Sequence, residues 1–297
     1  MRRSKTLEKD RRVIEIYFLI PPIIILACIT IYPFIYAVVM SFKNLIFGKY
    51  VFVGLANYRH LIVGGRFAHS LYITMVFTSI AVVVEVILGM LIALLYSEEL
   101  PGISILRMLL ILPMVTTPIV VAMVFRQFIY PPDFGLLNYF FDLIRLPMLK
   151  LKWHCSIRTA LISLVLVDVW QMTPFPFLVF LAGLKTLPKE PYEAASIDGA
   201  SPRRKFFYIT LPLLRRVIMV VIVFRIIGCF KAFDIFYGIT GGGPGLATEN
   251  LSVYIYLQTF KYNRIGMAST ASIVTMFITF FLIFVIYKGI LGWRGKS

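Results

Sequence analysis

The sequence is short of almost everything a soluble enzyme uses for chemistry. Its 297 residues include three cysteines and three histidines, and only 15% are charged. Cys28 and Cys229 fall inside long apolar runs and Cys155 stands alone, so there is neither a disulfide framework nor a C-x-x-C metal pair. His60 and His69 are too far apart for an H-E-x-x-H helix, and His154 has no carboxylate beside it. No His, Asp or Glu cluster stands at the ligand or triad spacing a membrane-embedded enzyme would need. A phosphate loop of the form G-x-x-x-x-G-K-[ST] is also missing. The nearest fragment, Gly295-Lys296-Ser297, has Ile290 where the first glycine must stand. The run Gly241-Gly242-Gly243-Pro244-Gly245 has no lysine and reads as a tight outer turn. The chain therefore carries no metal or nucleotide cofactor of its own, and any ATP and magnesium would be bound by another chain. Acidic residues are scarce too: 14 against 30 Lys and Arg, for a net charge of +16. No basic helix interleaved with stacking aromatics lies outside the apolar runs, so this charge does not read as a nucleic-acid surface.

What the chain has instead is apolar length. Sixty per cent of the residues are hydrophobic and the mean hydropathy is +0.87, the composition of an all-α polytopic membrane protein. A bilayer core needs roughly 20 apolar residues per helix. Six runs qualify, near 13–42, 68–96, 104–130, 158–184, 215–240 and 266–290. The expected organisation is an N-terminal tail at 1–12, a six-span domain at 13–292 and a short tail at 293–297. The first run is too long, and too rich in Pro21, Pro22 and Pro33, for a cleavable signal peptide, so it is expected to remain in the mature protein. Basic residues set the orientation. Arg2, Arg3, Lys5, Lys9, Arg11 and Arg12 place the N-terminus in the cytoplasm, and six spans bring the C-terminus back to the same side. The 97–107 turn and the 185–214 loop share that side, which adds Lys185, Lys189, Arg203, Arg204, Lys205, Arg215 and Arg216. There the cations also meet anionic lipid headgroups.

The 185–214 loop is the main polar interruption. Pro188 and Pro191 suit a first helical turn that needs no amide donors, Ala194 and Ala195 favour helix, and Gly199 suits a left-handed terminus. Ser201-Pro202 starts a second helix. Small residues at the middle of the first helix let another surface approach closely, while Glu193 supplies a charge to orient it. A plain connector is the alternative, since loops are polar wherever they are exposed.

Glu193-Ala194-Ala195, Gly199, Ile209 and Leu211-Pro212 keep every spacing of the EAA loop, and the chain thereby resembles the permease subunits of ATP-binding-cassette importers. Further segments resemble the carbohydrate-importing branch, which includes the larger maltose permease subunit and the first glycerol-3-phosphate permease subunit. They include Phe52-Val53-Gly54-Leu55-Ala56-Asn57-Tyr58, Gly135-Leu136-Leu137-Asn138, Leu181-Ala182-Gly183-Leu184, and Phe233-Asp234 followed by Thr240-Gly241-Gly242-Gly243-Pro244. The resemblance covers roughly residues 14–290, without the extra N-terminal spans and large insert of the maltose subunit. It implies a type I importer fold in the bacterial cytoplasmic membrane. It also implies a second permease subunit completing a heterodimer, two ATP-binding subunits below, and an extracytoplasmic substrate-binding protein delivering a sugar-like ligand. Glu193, Ala194, Ala195, Asp198 and Gly199 would be the coupling contacts to the ATPase. Asp168, Met172, Phe175, Arg225, Gly228, Cys229 and Ala232 would line the substrate pathway.

Ionisable residues inside spans are costly, on the order of 2.5–3.5 kcal/mol each at a helix centre, so each should face a cavity or a partner. Glu85, Arg126, Asp168, Arg225, Lys231 and Asp234 are the candidates. Arg225, Gly228, Cys229 and Ala232 follow i, i+3, i+4, i+7 spacing, one helical face. Phe175 would stack on a sugar ring while Asp168 accepts hydroxyl hydrogen bonds. Alternatively, Asp168 and Arg225 form an ion pair between two spans, in which case exchanging the two charges should preserve transport. A cation in the cavity would also suit an anionic sugar or phosphate ester. Pro113, Pro118, Pro174 and Pro176 are expected to kink their spans. Permeases for other solutes, such as glycerol phosphate diesters or polyamines, remain the nearest alternative. A secondary transporter would require internally related halves, and the sequence has none.

Overall fold

The computed structural model describes residues 2–97 and 103–291. The tail at 293–297, with Arg294 and Lys296, and most of the turn after residue 97 lie outside the described residues. Along the chain run α1 (Arg2–Ser41), β1 (Lys43–Ile46), β2 (Lys49–Phe52), α2 (Ala56–Val63), α3 (Arg66–Leu95), α4 (Ile103–Val115), α5 (Pro118–Val124) and α6 (Leu136–Leu143). There follow α7 (Ala160–Met172), α8 (Pro174–Lys185), α9 (Glu190–Ile197), α10 (Pro202–Lys205), α11 (Leu211–Lys231), α12 (Asp234–Ile239), α13 (Leu251–Tyr256) and α14 (Ile265–Leu291). π turns at Phe125–Ile129 and Leu257–Lys261 extend α5 and α13, and a third at Phe206–Thr210 joins α10 to α11.

Among the described residues, three helical stretches are long and apolar enough to cross a bilayer: Tyr17–Ser41, Arg66–Leu95 and Ile265–Gly289. Two bent pairs bring the number to five if each is one span: Ile105–Val115 with Pro118–Ile129, and Ala160–Met172 with Pro174–Lys185. The expected continuous helix at 104–130 is therefore broken, with a 92° bend. The cause is local, because Pro118 pushes Thr117 out of helical geometry to φ −58°, ψ 126°. The run at 158–184 bends by 40° where Pro174 opens α8. Pro113 and Pro176 sit inside helices; Pro176 is in the first turn of α8, where a missing amide leaves no bond unmade. The expected run at 215–240 also differs. Helix α11 has 21 residues, length enough for a span, but it carries Arg215, Arg216, Arg225 and Lys231. It stops at Lys231, Ala232 turns extended at ψ 105°, and α12 restarts at Asp234. Ala232 thus leaves the helical face it was expected to share with Arg225, Gly228 and Cys229.

The chain divides into two compact units. The first comprises residues 1–64 and 257–274. In it, β1 and β2 pair antiparallel across a two-residue turn, Phe47 and Gly48, both at positive φ as such a hairpin requires. Asn57 holds the end of α1 in place, its side-chain amide donating to the carbonyls of Ser41 at 2.9 Å and Lys43 at 3.1 Å. Thr270 of α14 donates to the same Ser41 carbonyl at 3.1 Å.

The second unit comprises residues 65–256 and 275–297. Its core joins α3, α8 and α11 through Met90, Ala93, Phe177, Phe180, Leu181, Leu214 and Val221. In a bilayer, helices associate through close packing rather than water exclusion, so small residues at crossings matter. Gly89 is such a residue: a Cβ there would lie 2.6 Å from Pro176 Cβ and 2.9 Å from Phe177 N. At the start of α3, Arg66 grips Glu249 with two hydrogen bonds of 2.8 and 2.5 Å, and Ser70 donates to the same carboxylate at 3.2 Å. This bond anchors the glycine-rich segment after α12, which is more than the simple turn expected. Thr248 donates to Gly243 O at 2.7 Å, and Asn250 and Ser252 donate to Ala232 O and Phe230 O at the end of α11.

Gly89→Val should lower the thermal midpoint of the purified protein, since overpacking a close crossing costs about 1–3 kcal/mol. Gly289→Ala should leave it unchanged or slightly higher, because a Cβ there meets nothing within 4 Å. Differential scanning fluorimetry of both variants checks the contrast.

Candidate functional site

Helix α9 is built by local rules. Pro191 stands in its first turn, whereas Pro188, expected there too, lies before the N-cap residue Lys189 and so outside the helix. At its other end Gly199 adopts φ +68°, and two capping bonds close the helix: Ala200 N to Ala195 O at 2.9 Å and Gly199 N to Ser196 O at 3.1 Å. This is the paired 6→1 and 5→2 arrangement that favours glycine at the left-handed position. Ser201 then caps α10, accepting from Arg204 N at 3.4 Å, with Pro202 at its first position. Two side-chain bonds fasten α9 to the following helix: Lys205 Nζ to Ser196 Oγ at 2.6 Å and Tyr192 Oη with Thr210 Oγ1 at 2.9 Å. No residue of α9 is buried. Glu193, Ala194, Asp198 and Gly199 are exposed, Ala195 is half-buried, and Ile197 is 88% exposed. The segment is thus a rigid, outward-facing knob at the start of α11.

About four turns along α11 from that start lies a buried charge cluster. Arg225 donates from Nε and Nη2 to both carboxylate oxygens of Glu85, the Nη2 bond being 2.8 Å. Nη2 also donates to Asp168 Oδ2 at 2.7 Å. Cys229 Sγ lies 3.5 Å from Nη2 and 3.9 Å from Asp168 Oδ2. Glu85, Asp168, Arg225 and Cys229 are all buried, at 0%, 3%, 6% and 1% exposure. One guanidinium therefore joins α3, α7 and α11. Burying an ion is repaid only when its geometry is good and its hydrogen bonds are satisfied, and a two-carboxylate clasp meets both conditions.

The structure brings together three of the seven expected pathway residues: Asp168, Arg225 and Cys229. It adds Glu85, 140 positions from Arg225 in sequence. Met172 and Gly228 are half-buried, and Phe175 packs on Phe224 with ring centroids 6.2 Å apart. Ala232 caps α11 rather than continuing it. Arg126 donates to Gly238 O at 3.3 Å, and Lys231 and Asp234 are exposed. His154 is half-buried beside Tyr130, where burial, and then the Arg126 charge, lower its pKa. Among the described residues no group of three or more His, Cys, Asp or Glu is arranged to hold a metal ion. Sequence reasoning missed the roles of Arg66 and Glu249. The available signal was that Glu249 is one of only 14 acidic residues in the chain.

This arrangement, broken helices around a buried ion cluster with a polar knob between two helical stretches, is the fold of an ABC importer permease subunit, as the comparisons with solved structures and family models show. A chain of a bacterial ABC transporter that imports the acidic polysaccharide alginate superposes with a TM-score of 0.81, covering 98% of this chain and 99% of that one at 20% identity. At that identity the likeness speaks for the fold alone. Residues 85–294 match the model of the binding-protein-dependent transport system inner membrane component family, and the chain belongs to that family. Among curated relatives, the trehalose/maltose transport system permease protein MalF of Thermococcus litoralis is 37% identical over 78% of this chain and 76% of the relative. The arabinooligosaccharides transport system permease protein AraP of Halalkalibacterium halodurans is 32% identical over 94% and 88%. The sulfoquinovosyl glycerol transport system permease protein SmoG of Agrobacterium fabrum is 32% identical over 92% and 89%.

Arg225→Met should destabilise the protein by on the order of 3–5 kcal/mol, because it strands two buried carboxylates. Asp168→Asn should cost clearly less, since the bidentate Glu85 pair survives. The triple variant Glu85→Gln, Asp168→Asn, Arg225→Met should recover much of the loss. A plain exchange of Asp168 and Arg225 should fail, because it sets Glu85 beside a second carboxylate. Thermal unfolding of the purified variants tests this order.

Proposed function

We propose that the chain forms half of the translocation pathway of an ATP-driven importer for a sugar or sugar derivative, and that α9 is the point where a separate ATPase drives it. The observation that carries the coupling role is the exposed α9 with its closed glycine cap, tied by side-chain bonds to α10 and to the π turn that leads into α11, the helix that holds Arg225. A docked ATPase that shifted α9 would move α11, and through Arg225 the helices α3 and α7. In this reading Glu193 orients the partner, Ala194 and Ala195 allow close approach, and Asp198 and Gly199 form the edge of the contact.

The cations Lys185, Lys189, Arg203, Arg204 and Lys205 around α9 favour the cytoplasmic side for this face, with both termini there, in a bacterial inner membrane. The expected α11 span would complete the set of six. A second permease subunit, two ATP-binding subunits carrying ATP and magnesium, and an extracytoplasmic binding protein complete the assembly. Met172, Phe175, Gly228 and Ala232 offer the pathway surface, backed by Asp168, Arg225 and Cys229. Sugar is the favoured cargo because relatives along most of the chain are named for trehalose and maltose, arabinooligosaccharides and sulfoquinovosyl glycerol. Glycerol-3-phosphate, its diesters or polyamines form the second reading. A ligand screen of the cognate binding protein separates these cargoes.

A Cβ at Gly199 would meet nothing within 4 Å. A side chain placed there points away from the chain, and Asp is among the residues that tolerate a left-handed site. Gly199→Asp should therefore still insert and fold, at the modest cost of a non-glycine residue in the left-handed region, while uptake falls and ATPase activity loses its dependence on loaded binding protein. Wild-type coupled transport by Gly199→Asp would refute the docking role.

A further inference from the structure

The segment between the π turn at Phe125–Ile129 and α7 carries an apolar surface that its own fold does not use. Helix α6 displays Leu136, Tyr139, Phe140 and Leu143 at i, i+3, i+4, i+7 spacing, one face of a helix. These four, with Met148 just beyond, are exposed by between 52% at Phe140 and 82% at Met148.

This face is displayed by a well-built segment. On the opposite side of α6, buried Asn138 uses its whole amide. Its Nδ2 donates to Pro132 O and Leu151 O, both at 3.1 Å, and its Oδ1 accepts from Leu151 N at 3.3 Å and Trp153 Nε1 at 2.9 Å. Trp153 stacks between Tyr130 at 5.8 Å and Phe141 at 6.2 Å. Tyr130 in turn donates to Ser163 O of α7 at 2.9 Å. The segment is thereby fastened to both membrane-crossing stretches that flank it, and α6 cannot turn its apolar face inward without breaking the Asn138 hub.

Two observations identify what covers the face. First, its composition suits the boundary between acyl chains and headgroups. Arg145, Lys150, Lys152 and Arg158 stand in the segment against Asp133 and Asp142, beside exposed aromatic and aliphatic side chains. Second, the flanking stretches also expose apolar side chains, Phe128 before the segment and Ile162 and Leu166 after it. Such a patch on a soluble surface would mark a protein interface. Here the membrane is the neighbour already present at both ends.

We infer that α6 and the residues up to Lys152 form a foot seated in the bilayer interface, with Leu136, Phe140, Leu143 and Met148 among the acyl chains and the cations at the phosphate level. The foot sets the depth of the junction between the broken helix pair α4–α5 and α7, and it does so whatever the cargo of the transporter is.

Spin-label accessibility in lipid nanodiscs tests this on the full chain. In a Cys28→Ser, Cys155→Ser background, single labels replace Asp133, Leu136, Phe140, Leu143 and Met148, in phosphatidylcholine–phosphatidylglycerol discs. The expected result is collision with oxygen several-fold above collision with a water-soluble nickel chelate at Leu136, Phe140, Leu143 and Met148, and the reverse at Asp133. The same pattern should persist when the chain is co-purified with its partner subunits. Nickel-dominated collision at all positions would overturn the inference. So would loss of collision with both probes on assembly, which would make the face a protein contact.

Discussion

A guanidinium inside a helix bundle must find negative charge within hydrogen-bond reach, and Arg225 finds it on two different helices. Its fork takes both oxygens of Glu85 on α3 and one of Asp168 on α7. The three helices are not otherwise held by a hydrophobic driving force, since lipid is as apolar as their side chains. Close packing at Gly89 and around Phe177, Phe180 and Leu214 brings α3, α8 and α11 together. The ion cluster selects their register, because a one-turn slip of α11 would leave charges buried and unpaired. A buried ion cluster is weak evidence for net stability, but removing one partner leaves an uncompensated buried charge.

The proposed coupling contact and the proposed pathway residues would share one element. Helix α11 begins at the capped knob, passes through the core at Leu214 and Val221, holds the ion cluster at Arg225, and ends where Asn250 and Ser252 cap its last carbonyls. Between α9 and α11 the chain passes through the π turn at Phe206–Thr210, the joint that the proposed coupling would have to cross. π turns of this kind recur at functional positions in helices. The Arg66–Glu249 bond ties the segment following α12 to α3, so the far end of the same helix system is also anchored.

Local rules carry far in this sequence and long-range ones do not. The knob was legible in detail because Pro191, Gly199 and Ser201-Pro202 act within a few residues of themselves, and the structure shows each in its expected capping role. Apolar length located Tyr17–Ser41, Arg66–Leu95 and Ile265–Gly289 for the same reason, but not the breaks within 104–130, 158–184 and 215–240. The consequences of the prolines were harder to read: Pro118 and Pro174 begin new helices, whereas Pro113 and Pro176 are accommodated within existing ones. Periodicity placed Ala232 on the Arg225 face, but periodicity cannot show where a helix stops. Glu85 stood out as a lone acid in an apolar run, yet its partner is 140 positions away, and the Arg66–Glu249 pair spans 183. Such pairings arise from packing, which no spacing rule encodes. The foot at α6 needed the structure as well, since only the buried Asn138 hub reveals that the apolar face must point outward.

The account rests on the chain being a passive pathway moved by a separate ATPase through α9. Uptake into proteoliposomes holding this chain, its partner permease and its ATP-binding subunits, with loaded binding protein outside, tests that claim most directly. The account predicts uptake that requires ATP inside, stops with vanadate and ignores protonophores and sodium ionophores. Uptake that proceeds without the ATP-binding subunits and follows an ion gradient would contradict it.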